Sequence, residues 1–369
     1  MSTELDSVRA RVRAFLDETL DSIDDNDNDN GFSPSFSRKC GEAGLIGMTW
    51  PRKYGGHERT HLERFIVSEE LLAARAPVRA HWVADRQSGA MLLEYACDEI
   101  RAAILPRIAK GECCFCIGLS EANSGSDLFS VTTKAKKAGD GWVINGHKLW
   151  TSLAHKAHYM IALLRTSPPS ADDRRYGLTQ FLVPMDADGV TVRPILNMVG
   201  DHDFNEVILD EVFVHDTHVL GEVDAAARQA TRELIYERSG PDRYLETLPV
   251  LLHLIDLAQE DPDDRLAEGI GRLVAQLLAL RQMSFSVATM LEDNKLPDTE
   301  AAMIKDLGTC WEQDLPAQAR LLSQYSKSAE RLPIEAVIQR YMLLAPKLTI
   351  QGGTSEVLRG IIARGLGLR

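Results

Sequence analysis

What constrains this chain most is its hydrophobic period, which changes twice. Up to about residue 112 apolar side chains recur at helical spacing, first at Leu5, Val8, Val12, Phe15, Leu16, Leu20 and Ile23 and then from 36 to 109, with Pro51 and Pro77 as punctuation. Between 113 and 222 the pattern shortens to apolar or alternating runs at 113–120, 131–136, 141–151, 159–165, 178–183, 190–195 and 207–215. Such runs read as strands. Asn145-Gly146 lies between two of these apolar segments and predicts a tight hairpin turn, since both residues tolerate positive φ; 186–189 predicts another turn. From about 225 the helical period returns, and 250–257, 273–280 and 301–307 fit the helices of a bundle. Ser239-Gly240-Pro241 should break the first of these helices, and Gln351-Gly352-Gly353-Thr354 should form a loop before a last helix from about Ser355. Helices, then strands, then helices predict an α+β chain of three domains: an N-terminal α-helical domain (1–112), a middle β domain (113–222) and a C-terminal α-helical bundle (223–369).

Composition narrows the function. With 41 basic and 54 acidic residues the net charge is −13, which argues against a general nucleic-acid binder and leaves room only for a local basic pocket. No apolar run approaches the roughly 20 residues of a membrane span. The acidic start, Met1-Ser2-Thr3-Glu4, has no signal-peptide character. Six cysteines without scaffold spacing point to a reducing, cytoplasmic setting. Cys113-Cys114-Phe115-Cys116 has no second pair or histidines at ligand spacing, so buried thiols are expected there, not zinc. Residues 24–30 are all Asp or Asn, but Ser37 stands where a calcium loop needs a bidentate Glu, so a solvated linker is expected. The chain has no G-x-G-x-x-G after a strand, no P-loop, no H-E-x-x-H and no G-x-S-x-G.

Four segments are more specific. They are Gly118-Leu119-Ser120-Glu121-Ala122-Asn123-Ser124-Gly125-Ser126-Asp127, Asn145-Gly146-His147-Lys148-Leu149-Trp150-Thr151-Ser152, the run from Phe204-Asn205-Glu206-Val207 to Leu220-Gly221-Glu222, and Gly353-Thr354-Ser355-Glu356-Val357-Leu358-Arg359. In order and spacing they resemble the acyl-CoA dehydrogenase family over nearly the whole chain. The resemblance implies a middle β-barrel-like domain, a C-terminal four-helix bundle and a non-covalent FAD. It implies that the loop at Leu119 and Ser120 cups the flavin, with the Ser120 hydroxyl bonded to the ring and Ser126 facing the pyrophosphate. It implies that Trp150 packs near the flavin, that Ser152 donates toward its N5, and that Thr354, Ser355 and Glu356 contact the adenosine half. A donor at N5 favours the charge that develops when hydride arrives.

The implied reaction is α,β-dehydrogenation of an acyl thioester: a carboxylate removes the α-proton while the β-hydrogen leaves as hydride. Most members of the family carry that carboxylate in a C-terminal Y-E-G-T, and here Gly352 stands at the Glu position. A glycine is no base, though its N–H can donate to the thioester carbonyl. The isovaleryl and long-chain members place the Glu in an E-R pair on the first C-terminal helix. Glu237-Arg238 matches that pair, so Glu237 is the expected base, Arg238 is expected to line the substrate site or orient the carboxylate, and Glu233 is the alternative one turn earlier.

Two family segments are missing. R-x-x-F-G is replaced by Ala258-Gln259-Glu260-Asp261-Pro262, and Q-x-x-G-G-x-G-Y by Ser326-Lys327-Ser328-Ala329-Glu330-Arg331. Both normally help hold a neighbouring subunit's FAD. The chain therefore also resembles subunits of bacterial heterotetrameric members that act on bulky acyl groups. The expected partners are an acyl-CoA or acyl-carrier-protein thioester, an electron-transferring flavoprotein and further subunits, like or unlike. The readings left open are a poorly catalytic partner subunit and another flavin oxidation on the same fold.

Overall fold

Element ends fall where the period changes. The computed structural model describes residues 2–24, 27–170, 172–293, 295–328 and 331–368. Its first helices are α1 (Ser2–Thr19), α2 (Pro34–Glu42), α3 (His61–Ala73), α4 (Arg79–Val83), α5 (Gly89–Tyr95) and α6 (Asp98–Ala109). Next come β1 (Phe115–Gly118), β2 (Lys134–Ala138), β3 (Gly141–Lys148), β4 (Tyr159–Arg165), β5 (Leu178–Pro184), β6 (Val190–Leu196), β7 (His202–His215) and β8 (Val219–Leu220). The last helices are α7 (Ala227–Arg238), α8 (Leu248–Glu260), α9 (Asp264–Glu292), α10 (Asp298–Leu322), α11 (Arg331–Leu344) and α12 (Ser355–Gly365). Helical ends around a central sheet are the expected α+β architecture.

By contacts the chain divides into two compact units. One comprises the chain up to Val12, His61–Arg75 and the chain from Glu237. Its core is made by α8, α9, α10 and α11, where Leu251, Leu254, Leu273, Leu280, Trp311, Leu315, Ile334 and Ile338 are buried together. Leu72 and Ala73 of α3 pack on that core, and Phe65 meets Phe285 edge-on at 5.5 Å. On length and composition α9 is apolar enough to cross a membrane, but its Leu266, Leu273 and Leu280 belong to this core and its Arg281 pairs with Glu69 at 2.6 Å.

The other unit, Arg13–Thr60 and Ala76–Tyr236, holds the sheet. Strand order is β6-β7-β3-β2-β4-β5-β8, with β1 parallel to β4. One face buries Ile144, Met160, Phe181, Val183, Val207 and Val212. All seven expected strands form, but Asn145-Gly146 does not turn. β3 runs through it with a bulge, because β7 pairs with β3 on both sides, from Ile144↔Val212 to Gly146↔Leu209. The Asn145 side chain is held by Glu211, donating to its Oε1 at 2.7 Å and accepting its N–H at 3.0 Å. The hairpin turn lies earlier, between Ala138 and Gly141, where Gly139 takes φ +59°. Here tertiary pairing overrides a local turn preference.

The acidic stretch is solvated as expected, with Asp24, Asn28, Asp29 and Asn30 exposed, but it is also tied down. Asp27 accepts from the Ser33 and Ser35 hydroxyls at 2.5 Å each, and Asp29 pairs with Lys156. Asp25 and Asn26 lie outside the described residues. Cys113, Cys114 and Cys116 are buried as expected, and burial pushes the thiols of Cys113 and Cys114 up to about 12 and 11.

One buried ion pair ties the sheet to the loop after β1. Lys148, fully buried at the end of β3, donates to Glu121 Oε1 at 2.8 Å, Leu163 O at 2.7 Å and Leu119 O at 3.3 Å. Glu121 also accepts from Thr132 N and Oγ1 at 2.7 and 2.8 Å and from Thr133 N at 3.0 Å. Burial alone would raise the Glu121 carboxyl, but Lys148 and these donors outweigh it and hold it at about 2. Lys148→Met should therefore leave a buried, unpaired carboxylate and cost about 3–5 kcal/mol in urea unfolding at neutral pH, with Glu121→Gln added to it recovering most of the loss. A carboxyl depressed from its ordinary 4.5 stabilises fully above that pH and loses its contribution as pH falls toward 2. The unfolding midpoint should accordingly fall more steeply through that window in wild type than in Glu121→Gln.

Candidate active site

Two adjoining loops of the sheet unit carry the residues expected to hold a flavin ring. Leu119 and Ser120 follow β1, and Ser126 lies farther along the same loop, exposed. Trp150 and Ser152 follow β3. The Leu149 N–H donates to Ser120 O at 2.9 Å, which joins the loops. The second loop is sewn to β7: Thr151 N donates to Asn205 O at 3.1 Å, Asn205 Nδ2 to Thr151 O at 2.9 Å, and Leu153 N to Asp203 O at 3.0 Å. Trp150 and Leu153 take left-handed φ of 60° and 56°, so the loop turns sharply at both. The Trp150 indole is 59% exposed and meets Phe204 edge-on at 6.0 Å. Next to it Thr151 Oγ1 is buried with no hydrogen-bond partner among the described residues. An open indole face, a buried hydroxyl without a partner and hydroxyls at 120 and 152 suit a planar ring with a hydrogen-bonding edge, so these residues fit a flavin.

In the other unit Thr354, Ser355 and Glu356 open α12. Thr354 Oγ1 accepts from Val357 N at 3.4 Å, capping the helix. The Glu356 carboxyl is held below its usual range by its own backbone N–H and the Thr354 hydroxyl. The exposed N–H groups of such a helix start suit a phosphate or ribose oxygen.

Glu237 and Gly352 come together in this same unit. Gly352 takes φ +72°, and a Cβ built on it would lie 3.4 Å from both Cδ and Oε1 of Glu237. Glu237 is half-buried, with its side chain 13% exposed. Its neighbour in charge is Arg243, which the sequence reading did not single out. The chain breaks at Ser239-Gly240-Pro241 as expected and turns back, so that Arg243 Nε donates to Glu237 O at 2.7 Å and Nη2 reaches Glu237 Oε1 at 3.4 Å. Arg243 thus both caps the end of α7 and steadies the carboxylate. The turn passes close to α10: a Cβ at Gly308 would lie 2.2 Å from Arg243 O.

Arg238, expected to line the substrate site or orient the carboxylate, reaches the Gly352 loop. It is buried, and its Nε donates to Gly352 O at 2.8 Å, with Asp298 at 3.8 Å from Nη1. Burial lowers its pKa, against the pull of Glu237 and Asp298. Arg238 therefore fixes the Gly352 peptide, whose own N–H meets no acceptor among the described residues. Glu233 is fully buried and accepts from Gln87 Nε2 at 3.1 Å and Gln180 Nε2 at 3.0 Å, both in the sheet unit. Beneath Glu237, α10 contributes Lys305 and Glu312, both 1% exposed. The sequence held a signal for them: polar residues at 305, 309 and 312 share one face of a helix whose neighbours Ala301, Ile304 and Leu315 are buried and apolar.

With this geometry in hand, comparison with known proteins is informative. Residues 2–112, 116–212 and 262–367 match the acyl-CoA dehydrogenase N-terminal, middle and C-terminal domains. A similar relative is acyl-CoA dehydrogenase IpdE1 of Mycobacterium tuberculosis, 33% identical over 90% of this chain and 87% of its own length. Among solved structures, the Tcur3481-Tcur3483 steroid ACAD superposes with TM-score 0.86 at 25% identity, covering 100% of this chain and 98% of that one. The ChsE4-ChsE5 complex from Mycobacterium tuberculosis gives 0.83 at 25% identity, covering 99% and 98%.

Proposed function

The chain belongs to the acyl-CoA dehydrogenase family, and from that premise we propose that Glu237 is the base of its reaction. That reaction is FAD-dependent α,β-dehydrogenation of an acyl-CoA thioester. The observation that carries the assignment is the 3.4 Å between the Glu237 carboxyl and the Cβ position of Gly352. The carboxylate on α7 reaches the spot left empty by the missing C-terminal Glu, so one base serves the same reacting carbon from another element.

The thioester carbonyl acidifies its α-carbon, and Glu237 takes the α-proton onto its carboxylate. Arg243, with Nη2 at 3.4 Å from Oε1, holds that carboxylate in place before the transfer. The Gly352 N–H donates to the thioester oxygen where negative charge develops, and Arg238 holds the opposite side of that peptide in place. The β-hydrogen would leave with its electron pair, for which a bound FAD would supply the acceptor, and a double bond would remain between the α- and β-carbons. Leu119, Ser120, Ser126, Trp150 and Ser152 hold its ring and pyrophosphate, and Thr354, Ser355 and Glu356 its adenosine half. On this reading the electrons pass to an electron-transferring flavoprotein.

A second reading concerns assembly, and one observation favours it. The two segments that replace the family's FAD clamp bind each other. Asp261 accepts from Ser326 Oγ at 2.9 Å and Lys327 N at 2.6 Å, and Ser328 Oγ donates to Glu260 at 3.4 Å. Ala329 and Glu330 lie outside the described residues. The two segments thus hold each other where the family has its clamp, and on this reading an unlike subunit supplies the missing half of it.

Two measurements test these readings. Glu237→Gln should retain FAD but slow anaerobic flavin reduction by acyl-CoA by about 10³-fold, within the usual range for a lost general base; reduction at the wild-type rate would sink the assignment. The visible spectrum of the chain purified alone tests the second reading. Substoichiometric flavin that added FAD does not restore supports an unlike partner, and a full flavin band bleached by acyl-CoA refutes it.

A further inference from the structure

β3 leaves its ladder with β7 at Lys148↔Val207, yet one residue of β7 keeps hold of the loop that follows. Asn205 is fully buried. Its backbone carbonyl accepts from Thr151 N at 3.1 Å, and its side-chain Nδ2 donates to Thr151 O at 2.9 Å. Thr151 is thus gripped at both of its peptide groups, the one shared with Trp150 and the one shared with Ser152. Those are the two loop residues proposed to hold the flavin ring. Trp150 takes φ +60°, a backbone that a bulky residue keeps only where its surroundings impose it. A peptide group fixed directly after Trp150 does so.

The Asn205 amide can grip Thr151 in only one of its two orientations. Turned over, it would set its oxygen against the Thr151 carbonyl. Two imidazoles select the working orientation. Asn205 Oδ1 lies 3.2 Å from His155 Nδ1 and 2.7 Å from His202 Nε2. Because Nδ2 donates to Thr151 O, Oδ1 must accept, which assigns a proton to Nδ1 of His155 and to Nε2 of His202. The two rings stack, with centroids 3.7 Å apart and planes 15° from parallel. Burial first, then His202 and Lys156, hold His155 below its ordinary pKa, against the pull of Asn205 and Asp29, so it acts as a neutral donor.

Packing alone does not call for this arrangement. A leucine would fill the volume of Asn205, but it would leave the Thr151 carbonyl without its side-chain partner. Thr151 Oγ1 is buried with no partner among the described residues, so the gripped residue is not arranged to satisfy itself. What the three side-chain bonds of Asn205 secure is the course of the chain through 150–152.

We propose that Asn205, oriented by the stacked imidazoles of His155 and His202, is the positioning residue of the flavin loop: by holding both peptide groups of Thr151 it sets the direction of Trp150 before it and of Ser152 after it. The proposal rests on Trp150 and Ser152 holding the flavin ring and is independent of Glu237.

The test compares wild type with Asn205→Leu, Asn205→Asp, His202→Phe, the double variant Asn205→Leu/His202→Phe and the double variant Trp150→Ala/Ser152→Ala, each as the assembled holoenzyme. Hydrogen exchange of the 149–154 peptide, the half-time of FAD release and the position of the flavin visible band are read, with urea unfolding in parallel. In Asn205→Leu the 149–154 peptide should exchange about tenfold faster and FAD should leave about tenfold faster, the worth of one buried hydrogen bond, with a shifted flavin band. Asn205→Asp keeps the shape and still accepts from both imidazoles but loses the donor to Thr151 O, so it should loosen the loop as much. His202→Phe keeps a ring in the stack without its N–H; it should give a smaller change in the same direction, and no further change when added to Asn205→Leu. Asn205→Asp and His202→Phe preserve volume and decide the matter should Asn205→Leu not fold. Loop exchange and FAD release unmoved in Asn205→Asp overturn the proposal. So does a lowered urea midpoint in the Asn205 variants with exchange, release and band all at wild-type values, which marks a stabilising contact alone. An undiminished effect of His202→Phe in the Asn205→Leu background removes the imidazoles from it. If Trp150→Ala/Ser152→Ala leaves band and FAD release unchanged, the flavin reading of the loop fails and this proposal with it. If that variant shifts both while the Asn205 variants behave as wild type, only the role of Asn205 falls.

Discussion

An ionised side chain taken out of water must find partners inside the protein, and this chain builds on that constraint in both of its units. In the sheet unit, Lys148 is fully buried and answers Glu121 and two carbonyls at once. The loop carrying Leu119 and Ser120 is therefore held from below by a charge it cannot leave without stranding the lysine. In the other unit Arg243, Lys305 and Glu237 form a second such group. There Arg243 Nη2 lies 3.4 Å from the Glu237 carboxylate, and the Lys305 stem lies on the same glycine as that carboxylate.

Those cations arrive by different routes. Arg243 depends on the break after α7, since only a chain that turns back within five residues can bring a guanidinium to the last carbonyl of the helix it has left. Gly308 gives that turn room against α10. Lys305, Thr309 and Glu312 come from a polar stripe on α10 that a purely structural core helix would fill with leucine. The stripe faces Gly352 and the start of α8, where Glu312 accepts from the N–H groups of Glu246 and Thr247 at 2.7 and 3.3 Å.

Gly352 and the Glu237 carboxyl come together from two elements far apart in the chain. A residue with φ +72° that stands against a carboxylate cannot comfortably carry a side chain of its own. The space it leaves lets the α7 carboxylate approach. Arg238 donates to the carbonyl of this same residue. Residues 237 and 238 lie about 100° apart around α7, so they face different neighbours.

The order of helices and strands, the seven strands of the sheet, the break before Pro241 and the last helix after Thr354 were all legible in the sequence, because period, proline and glycine act locally. So were the hydroxyl-rich loops at 119–126 and 150–152, through the spacing of their motifs. The bulge at Asn145-Gly146 was not, since a dipeptide that favours a turn was overruled by pairing with β7, more than sixty residues away. Nor were Arg243, Lys305 and Glu312 as companions of Glu237. Their meeting depends on a turn, on a helix face and on a loop more than forty residues beyond that helix position, and only tertiary packing brings those together. The sequence by itself determined the elements, and the tertiary structure alone decided which charges surround Glu237, because pairing between distant charges leaves no period in the chain.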